Sequence, residues 1–330
     1  MNDDVFLTNS TVSGNSTTGD EADGGGILFG TGALTLTNST VSGNSTTGDA
    51  AEGGGIYATN DLFLTNSTVS GNSTGGDESS GGGIYSSNGD VTLYNSTVAG
   101  NSTLGDKSEG GGIFIIDGFS GTGTGTLMIQ NSIVAGNESA TSIKDLLVSD
   151  DASISSIDYS VIGDTTGSGI TSSTGKDNLL NIDPLLGPLA NNGGPTLTHA
   201  LLPGSPAIDS GDPSFDPNSF TPPLNTDQRG GTFNRVLDGD GVSGARVDIG
   251  AFEVPNFSSI VVTTADDDGS LTLGDDDLTL REAIFLANLF PSETTIMFSS
   301  LFDTAQTIDL PSQLPTITTP LTSPVQGSRC

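Results

Sequence analysis

Leu7-Thr8-Asn9-Ser10-Thr11-Val12-Ser13-Gly14-Asn15 is a phrase that returns unchanged at 36–44 and 64–72, and in looser form at 93–101 and 129–137. Its first Asn falls at Asn9, Asn38, Asn66, Asn95 and Asn131, so the first four copies stand 28 or 29 residues apart. Gly-Gly-Gly-Ile keeps the same beat at 24–27, 53–56, 81–84 and 110–113. A fixed period of this size is the mark of a stacked repeat and decides the fold before other features are read.

One period shows how the stack is built. In 53–72, Ile56-Tyr57-Ala58, Leu62-Phe63-Leu64 and Thr68-Val69-Ser70 read as three short strands. Gly53–55 reads as a flexible corner, Thr59-Asn60-Asp61 as a turn, and Asn66 and Gly71-Asn72 as further corners. Asn suits corners because it tolerates left-handed backbone angles, and stacked amides can hydrogen-bond from coil to coil. The expectation is an all-β parallel β-helix with about 28–29 residues per coil. Its core is a set of columns: Val5, Leu34, Leu62 and Val91; Leu7, Leu36, Leu64 and Leu93; Val12, Val41, Val69, Val98 and Val134; Ile27, Ile56, Ile84 and Ile113.

Bulk composition agrees. Hydrophobic residues are 33% of the 330, aromatics 5%, and Trp is absent, which is thin for a deep globular core but suits a narrow one. The 47 glycines and many polar residues resemble a disordered tract, yet disorder gives no reason for apolar positions to stay in register. The net charge is −32 and only Lys107 is basic before residue 141, which makes nucleic acid and anionic membrane poor partners, and no nucleic acid is expected. Carbohydrate or other surface proteins remain. A single cysteine, Cys330, allows no disulfide within the chain, and no apolar run is long enough to form a transmembrane segment. No secretory signal peptide precedes the first repeat, and the expectation is a piece of a longer protein or a mis-assigned start.

Between the third strand and the triple glycine lies an acidic loop carrying Asp20, Asp49, Asp77 and Asp106 in successive periods. Two readings are open: solvated loops, or a calcium-binding row, since this ion takes several oxygen ligands. Asp238-Gly239-Asp240-Gly241 resembles the start of a calcium loop but lacks the later Asp or Asn and the bidentate Glu of an EF-hand. Asp266–268 and Asp275–277 are similar clusters. The Asn-Ser-Thr triplets match a glycosylation acceptor only because the repeat contains them.

The beat loosens after Asn137. The stretch 157–164 echoes 129–137, with Asp164 in the corner position, and predicts one more coil. From 178 the chain is Pro-rich and non-repeating. Asp183-Pro184-Leu185-Leu186-Gly187-Pro188-Leu189, Asn192-Gly193-Gly194-Pro195-Thr196, the run Gly204-Ser205-Pro206-Ala207-Ile208-Asp209-Ser210-Gly211, Asp227-Gln228-Arg229-Gly230 and Asp248-Ile249-Gly250-Ala251-Phe252-Glu253 follow in order. This series resembles the C-terminal portion of choice-of-anchor Q β-helix proteins. The triple-glycine repeats are more loosely similar to polymorphic outer-membrane-protein repeats, whose Gly-Gly-Ala-Ile is here Gly-Gly-Gly-Ile. The resemblance implies a right-handed β-helix in a secreted or surface-displayed bacterial protein. The Pro-rich segment would close the open end of the coil, where strand edges are otherwise unpaired.

A third segment runs from 256. Ile260-Val261-Val262-Thr263-Thr264-Ala265-Asp266 followed by Leu278-Thr279-Leu280-Arg281-Glu282-Ala283-Ile284 resembles the CSLREA domain, with Leu278 where that family has a cysteine. Leu271 lies where its partner would be, so the resemblance implies a lost disulfide. Thr279 and Glu282 stand as in a capping box and predict a short helix near 279–288. The stretches 295–298, 307–310 and 314–317 read as first strands of a new coil. The expected domains are 1–177, 178–255 and 256–330.

Function follows by class. An extracellular adhesive or structural module is the first reading, and a polysaccharide lyase or hydrolase, or a fragment of one, the alternative. The acids lie in loops that repeat, whereas active sites break a repeat. An enzyme needs a groove faced by a non-repeating cluster of Asp, Arg or Lys. His199, the only histidine, reads as structural, and Arg229, Arg235 and Arg246 as partners of Asp227, Asp238 and Asp248.

Overall fold

The structure, a computed structural model, describes residues 4–116, 125–149, 151–202, 204–239, 244–255, 259–267, 269, 278–289 and 295–317. The chain divides into two compact units, Met1–Pro255 and Asn256–Cys330.

In the first unit a coil makes four strands, one more than the sequence pattern showed. One turn runs Leu62–Thr65, Thr68–Ser70, Ser73–Thr74 and Ile84–Ser87. The added strand, Ser73–Thr74, has no apolar residue and so leaves no hydrophobic signature. Stacked coil on coil, the strands make four sheets of six, seven, five and five strands. All neighbours in these sheets are parallel, giving a right-handed parallel β-helix of about five turns.

The expected columns form in register. Leu34 faces Leu62 and Leu36 faces Leu64; Val69 lies between Val41 and Val98; Ile84 lies between Ile56 and Ile113. None of these side chains exposes surface. Each stabilises the fold by roughly 1.5–3 kcal/mol relative to leaving it in water.

The triple glycine is a tight place, not a flexible one. Gly53 needs its left-handed φ of 65°. A Cβ on Gly54 would lie 2.3 Å from the Ser73 carbonyl oxygen of the next coil. Gly-Gly-Gly therefore lets neighbouring backbones approach.

The two asparagines of the phrase have separate tasks. Asn9, Asn38, Asn66, Asn95 and Asn131 sit at corners with φ between 45° and 51°. Asn44, Asn72, Asn101 and Asn137 are buried and form the ladder. Each Nδ2 donates to the Oδ1 of the next at 2.9 Å, starting from Asn15. Each also donates to a valine carbonyl, as Asn72 does to Val41 at 3.0 Å. Every donor and acceptor of these amides is thereby used, as buried polar groups require.

The segment after the coils does not act as a plug. Leu179–Leu180 adds one strand beside Val161–Ile162, continuing the second sheet. From 182 the chain turns back and lies along the outside of that sheet. Thr40 Oγ1 donates to the Leu197 carbonyl at 2.7 Å, and Thr68 Oγ1 to Gln228 Oε1 at 2.6 Å. The Ala251 amide donates to Thr97 Oγ1 at 3.0 Å. The outer positions of this sheet are Thr and Ser, which can be buried once hydrogen-bonded. The expectation of a closed end is corrected accordingly: the segment covers a flank.

Its own core is ionic. The Arg229 guanidinium lies between the rings of Phe233 and Phe252, 3.8 Å from each centroid. It pairs with Asp227, Nη2 to Oδ2 at 2.6 Å, and both residues are buried. The Glu253 amide donates to the same carboxylate at 2.8 Å, tying two of the motif blocks together.

In the second unit the helix Leu280–Leu289 starts on the expected capping box: the Thr279 amide donates to Glu282 Oε2 at 3.0 Å and the Glu282 amide to Thr279 Oγ1 at 3.1 Å. Ala283, Ile284 and Ala287 are buried. Ser259–Val262 pairs in parallel with Thr295–Phe298. Of the three stretches expected as strands after the helix, only this one is a strand; 307–310 and 314–317 are not. Leu271 and Cys330 lie outside the described residues.

Candidate functional site

The four aspartates read as calcium candidates form a row on the exposed edge. Asp20 Oδ1 accepts the Asp49 amide at 3.2 Å, Asp49 Oδ1 the Asp77 amide at 3.0 Å, and Asp77 Oδ1 the Asp106 amide at 2.9 Å. Each carboxylate thus caps the backbone of the following coil. The row brings one carboxylate per coil. Among the described residues no group of three Asp, Glu, His or Cys side chains is placed to hold a metal ion. Asp238 lies beside the short strand Val236–Leu237, while Asp240 is outside the described residues, as are Asp268 and 275–277. Asp267 pairs with Arg281, Nε to Oδ1 at 2.9 Å.

A second acidic row borders the triple glycines. The Glu52 amide donates to Asp23 Oδ1 at 2.9 Å, and the Ser80 amide to Glu52 Oε2 at 2.9 Å. Burial pushes the Glu52 carboxyl up to about 7, against the lowering effect of the Ser80 amide. Beside this row, on the outer face of the fourth sheet, Leu28, Tyr57, Tyr85, Phe114 and Leu147 form one column. Tyr57 and Tyr85 stack at 5.1 Å with 6° between their planes, and Tyr85 and Phe114 at 5.3 Å with 12°.

The third feature breaks the repeat. A cleft of about 460 Å³ lies between the last coils and the segment on their flank. Its floor includes Ala99, Ala135 and Gly163, and its far wall Pro184, Leu186, Gly187 and His199. The floor column reads Ser13, Ser42, Ser70, then Ala99 and Ala135, with Gly163 beyond. Side chains shrink along it until there is room for a cavity. That loss of the hydroxyl was the one sequence signal for the site, and it is visible only once the column is known.

The charged lining is Glu138, Lys144, Asp145, Asp164 and Asp183. Asp145 replaces asparagine at the end of the buried ladder. Its Oδ1 accepts the Asn137 amide and Asn137 Nδ2, each at 2.9 Å, and its Oδ2 accepts the Asp164 amide at 2.6 Å. Asp164 was expected at that corner; the acceptor place belongs instead to Asp145, which comes from a stretch without repeat character. Burial pushes the Asp145 carboxyl up to about 6 despite these donors. Hydrogen bonds from Thr166 hold Asp164 below its ordinary range. Lys144 pairs with Glu138 at 3.0 Å.

His199 pins the flank segment to the coils. Nε2 lies 2.8 Å from Ser70 Oγ and Nδ1 2.7 Å from the Gly187 carbonyl oxygen. Burial lowers its pKa, which keeps the ring neutral, with Nδ1 donating to Gly187 and Nε2 accepting from Ser70. Arg229 takes the expected partner Asp227, and the buried Arg235 lies within electrostatic reach of Glu253, Asp227 and Asp248. Arg235 donates through Nη2 to the Gly250 carbonyl, and Arg246 through Nε to that of Gly211.

Comparison with known protein families, with curated proteins and with solved structures gave no match.

Proposed function

We propose that the chain is a structural and adhesive module displayed outside the cell, which holds a carbohydrate or a partner surface protein along its length. The observation that carries this reading is the straight column Leu28–Tyr57–Tyr85–Phe114–Leu147 beside the acidic row of Asp23 and Glu52. A surface that repeats one contact per coil matches a polymer that repeats one unit per step, and many weak contacts then add. The resemblance of 178–255 to choice-of-anchor Q proteins and of the third segment to a CSLREA domain supports an extracellular, bacterial setting. The test is co-sedimentation with insoluble chitin and cellulose. Binding should be lost in a folded Tyr57→Ala/Phe114→Ala variant; binding that ignores the substitutions, or none to either polymer, overturns the surface assigned here. External labelling of intact source cells tests the location.

The second reading is a polysaccharide-acting enzyme, and the cleft is the observation in its favour: it is non-repeating and charged. Against it, the groups suited to acid–base work are already engaged. Asp145 holds three donors, His199 is tied at both nitrogens, and Lys144 is paired. Release of unsaturated or reducing ends from pectin or alginate, abolished by Asp164→Ala, would replace the adhesive reading with this one.

A further inference from the structure

We propose that the recess formed by Tyr94, Phe215 and Phe220 binds a small quaternary ammonium ion of the choline type, with its methylated nitrogen against the rings and its charge facing Asp212 and Asp216. This goes beyond the adhesive reading and uses another face: Tyr94 belongs to the first sheet, whereas the adhesive column lies on the fourth.

The coil departs from its own pattern at this place. One column of the first sheet reads Thr8, Thr37, Thr65, then Tyr94 and Gln130. Leu93 beside it is buried in the core, so alternation along the strand turns Tyr94 outward. There it meets the flank segment. Its ring centroid stands 5.5 Å from that of Phe220, with 83° between the planes, and Phe220 stands 5.8 Å from Phe215 at 38°. The Tyr94 hydroxyl donates to Met128 Sδ at 3.2 Å, which fixes the ring.

These angles matter for what the rings can hold. Tyr57 and Tyr85 lie parallel and cover each other's faces. Tyr94, Phe215 and Phe220 stand instead as adjacent walls of one recess of about 330 Å³. Each of the three is only half-buried, so part of every ring is open to a ligand. The face of an aromatic ring is negative and attracts a cation.

The charges around the recess agree with that attraction. Its described lining carries two acids and no base. Asp212 accepts the Ser214 amide through Oδ1 at 2.8 Å and Gln130 Nε2 through Oδ2 at 3.2 Å. Asp216 Oδ1 accepts the Asn218 amide at 2.9 Å. These bonds hold both carboxylates in place before a ligand arrives, which lowers the ordering cost of binding. Arg246 lines a separate recess that shares Asp212 and Phe215, and its Nη2 is engaged by the Ser210 carbonyl at 3.2 Å.

The walls select a methylated nitrogen. A primary ammonium carries three N–H groups that need strong acceptors, and aromatic walls supply none. A trimethylated nitrogen has no N–H to satisfy and packs its charged methyl groups on the rings. The volume lies at the small end of ligand sites, which suits an ion of this size. A negative group on the ligand, as in phosphocholine, would meet Asp212 and Asp216 and be repelled.

Ligand-observed proton NMR with the whole chain tests the proposal. The probes are choline, its neutral tert-butyl isostere dimethylbutanol, ethanolamine and phosphocholine. Choline should bind saturably, with a dissociation constant of about 10 mM or tighter. Its N-methyl signal should move upfield under the shielding of the rings. Dimethylbutanol and ethanolamine should each bind at least about threefold more weakly, and phosphocholine more weakly than choline. Tyr94→Thr restores the residue that the column holds at Thr37 and Thr65, so the coil keeps its fold. It should weaken choline binding at least about threefold. Asp216→Asn keeps the Oδ1 acceptor, removes the charge and should weaken choline too. Glu21→Gln, at an exposed position in the first acidic loop, should leave binding unchanged. The proposal is overturned if choline does not saturate, if dimethylbutanol or ethanolamine binds as tightly as choline, or if folded Tyr94→Thr binds as before. Tighter binding of phosphocholine would overturn the assignment of a free ion.

Discussion

The coils and the segment on their flank bury polar groups by opposite means. Inside the coils each asparagine of the ladder is satisfied by its copy in the next turn, so one solution is repeated from Asn15 to Asn137. The flank segment has no copy of itself. It buries full charges instead, with Arg229 held between two phenylalanine rings and paired with Asp227. A repeat satisfies itself by translation, and each local fault passes only to its neighbours. A single-copy segment depends on a few specific contacts, and the loss of one is felt throughout.

The contrast is broken most severely by placing a charge in a core column. Leu64→Asp puts a carboxylate where the side chain exposes nothing. It should destabilise by more than about 4 kcal/mol. Chemical denaturation should show loss of the cooperative transition, and a variant as stable as the parent would mean that the columns are not packed as described.

Next comes the flank. Arg229→Met keeps much of the volume between the rings but leaves Asp227 buried without its partner. The expected loss is about 3–5 kcal/mol. Limited proteolysis should cut within 182–255 while the coils resist. Cleavage of both regions at equal rates would show that the segment is not separable from the coils in stability.

A smaller effect, shared by both regions, follows from pH. Burial raises the pKa of Glu52 to about 7 and of Asp145 to about 6 in the coils. It also raises those of Asp248 and Glu253 in the flank segment, and of Asp23. In each case the folded form keeps its proton at a pH where the unfolded form has lost it. Stability therefore rises as pH falls from about 7 toward about 4. His199, with a lowered pKa, works in the opposite direction below about 6.5. Five carboxyls against one imidazole predict a higher Tm at pH 5 than at pH 8 at constant ionic strength. Glu52→Gln should remove part of the rise that belongs to the coils. A lower Tm at pH 5 would contradict the burial of these groups.

The smallest effect concerns the edge row of Asp20, Asp49, Asp77 and Asp106. Asp20, Asp49 and Asp77 each already cap the next coil with one oxygen, and the four stand one to a turn. Millimolar calcium should raise Tm no more than magnesium at equal ionic strength. A calcium-specific rise lost in Asp49→Asn/Asp77→Asn would restore the row as an ion site.

Much of the coil was legible because its signal is periodic. Leu36 and Leu64 sit at the same place in identical phrases, and parallel stacking makes them neighbours. The capping box at Thr279 and Glu282 was legible because it is local. The triple glycine was misread because composition alone does not separate freedom from close approach; only the position of the Ser73 carbonyl does. The cleft was hidden for a different reason. It is made by missing atoms at Ala99, Ala135 and Gly163 and by a wall nearly a hundred residues farther along from Ala99. Asp145 lies in a stretch with no repeat to reveal its role, so nothing in the sequence shows that it inherits the place of an asparagine.

That inheritance has a consequence for how such a chain can grow. Each asparagine receives from the turn before it and gives to the turn after it, whereas the Asp145 carboxylate receives and has no proton to give. Whole periods duplicated upstream of it would slot in without rewriting the interior. A period inserted downstream would meet an acceptor with nothing to offer, which makes this single side chain a terminator for lengthening by duplication.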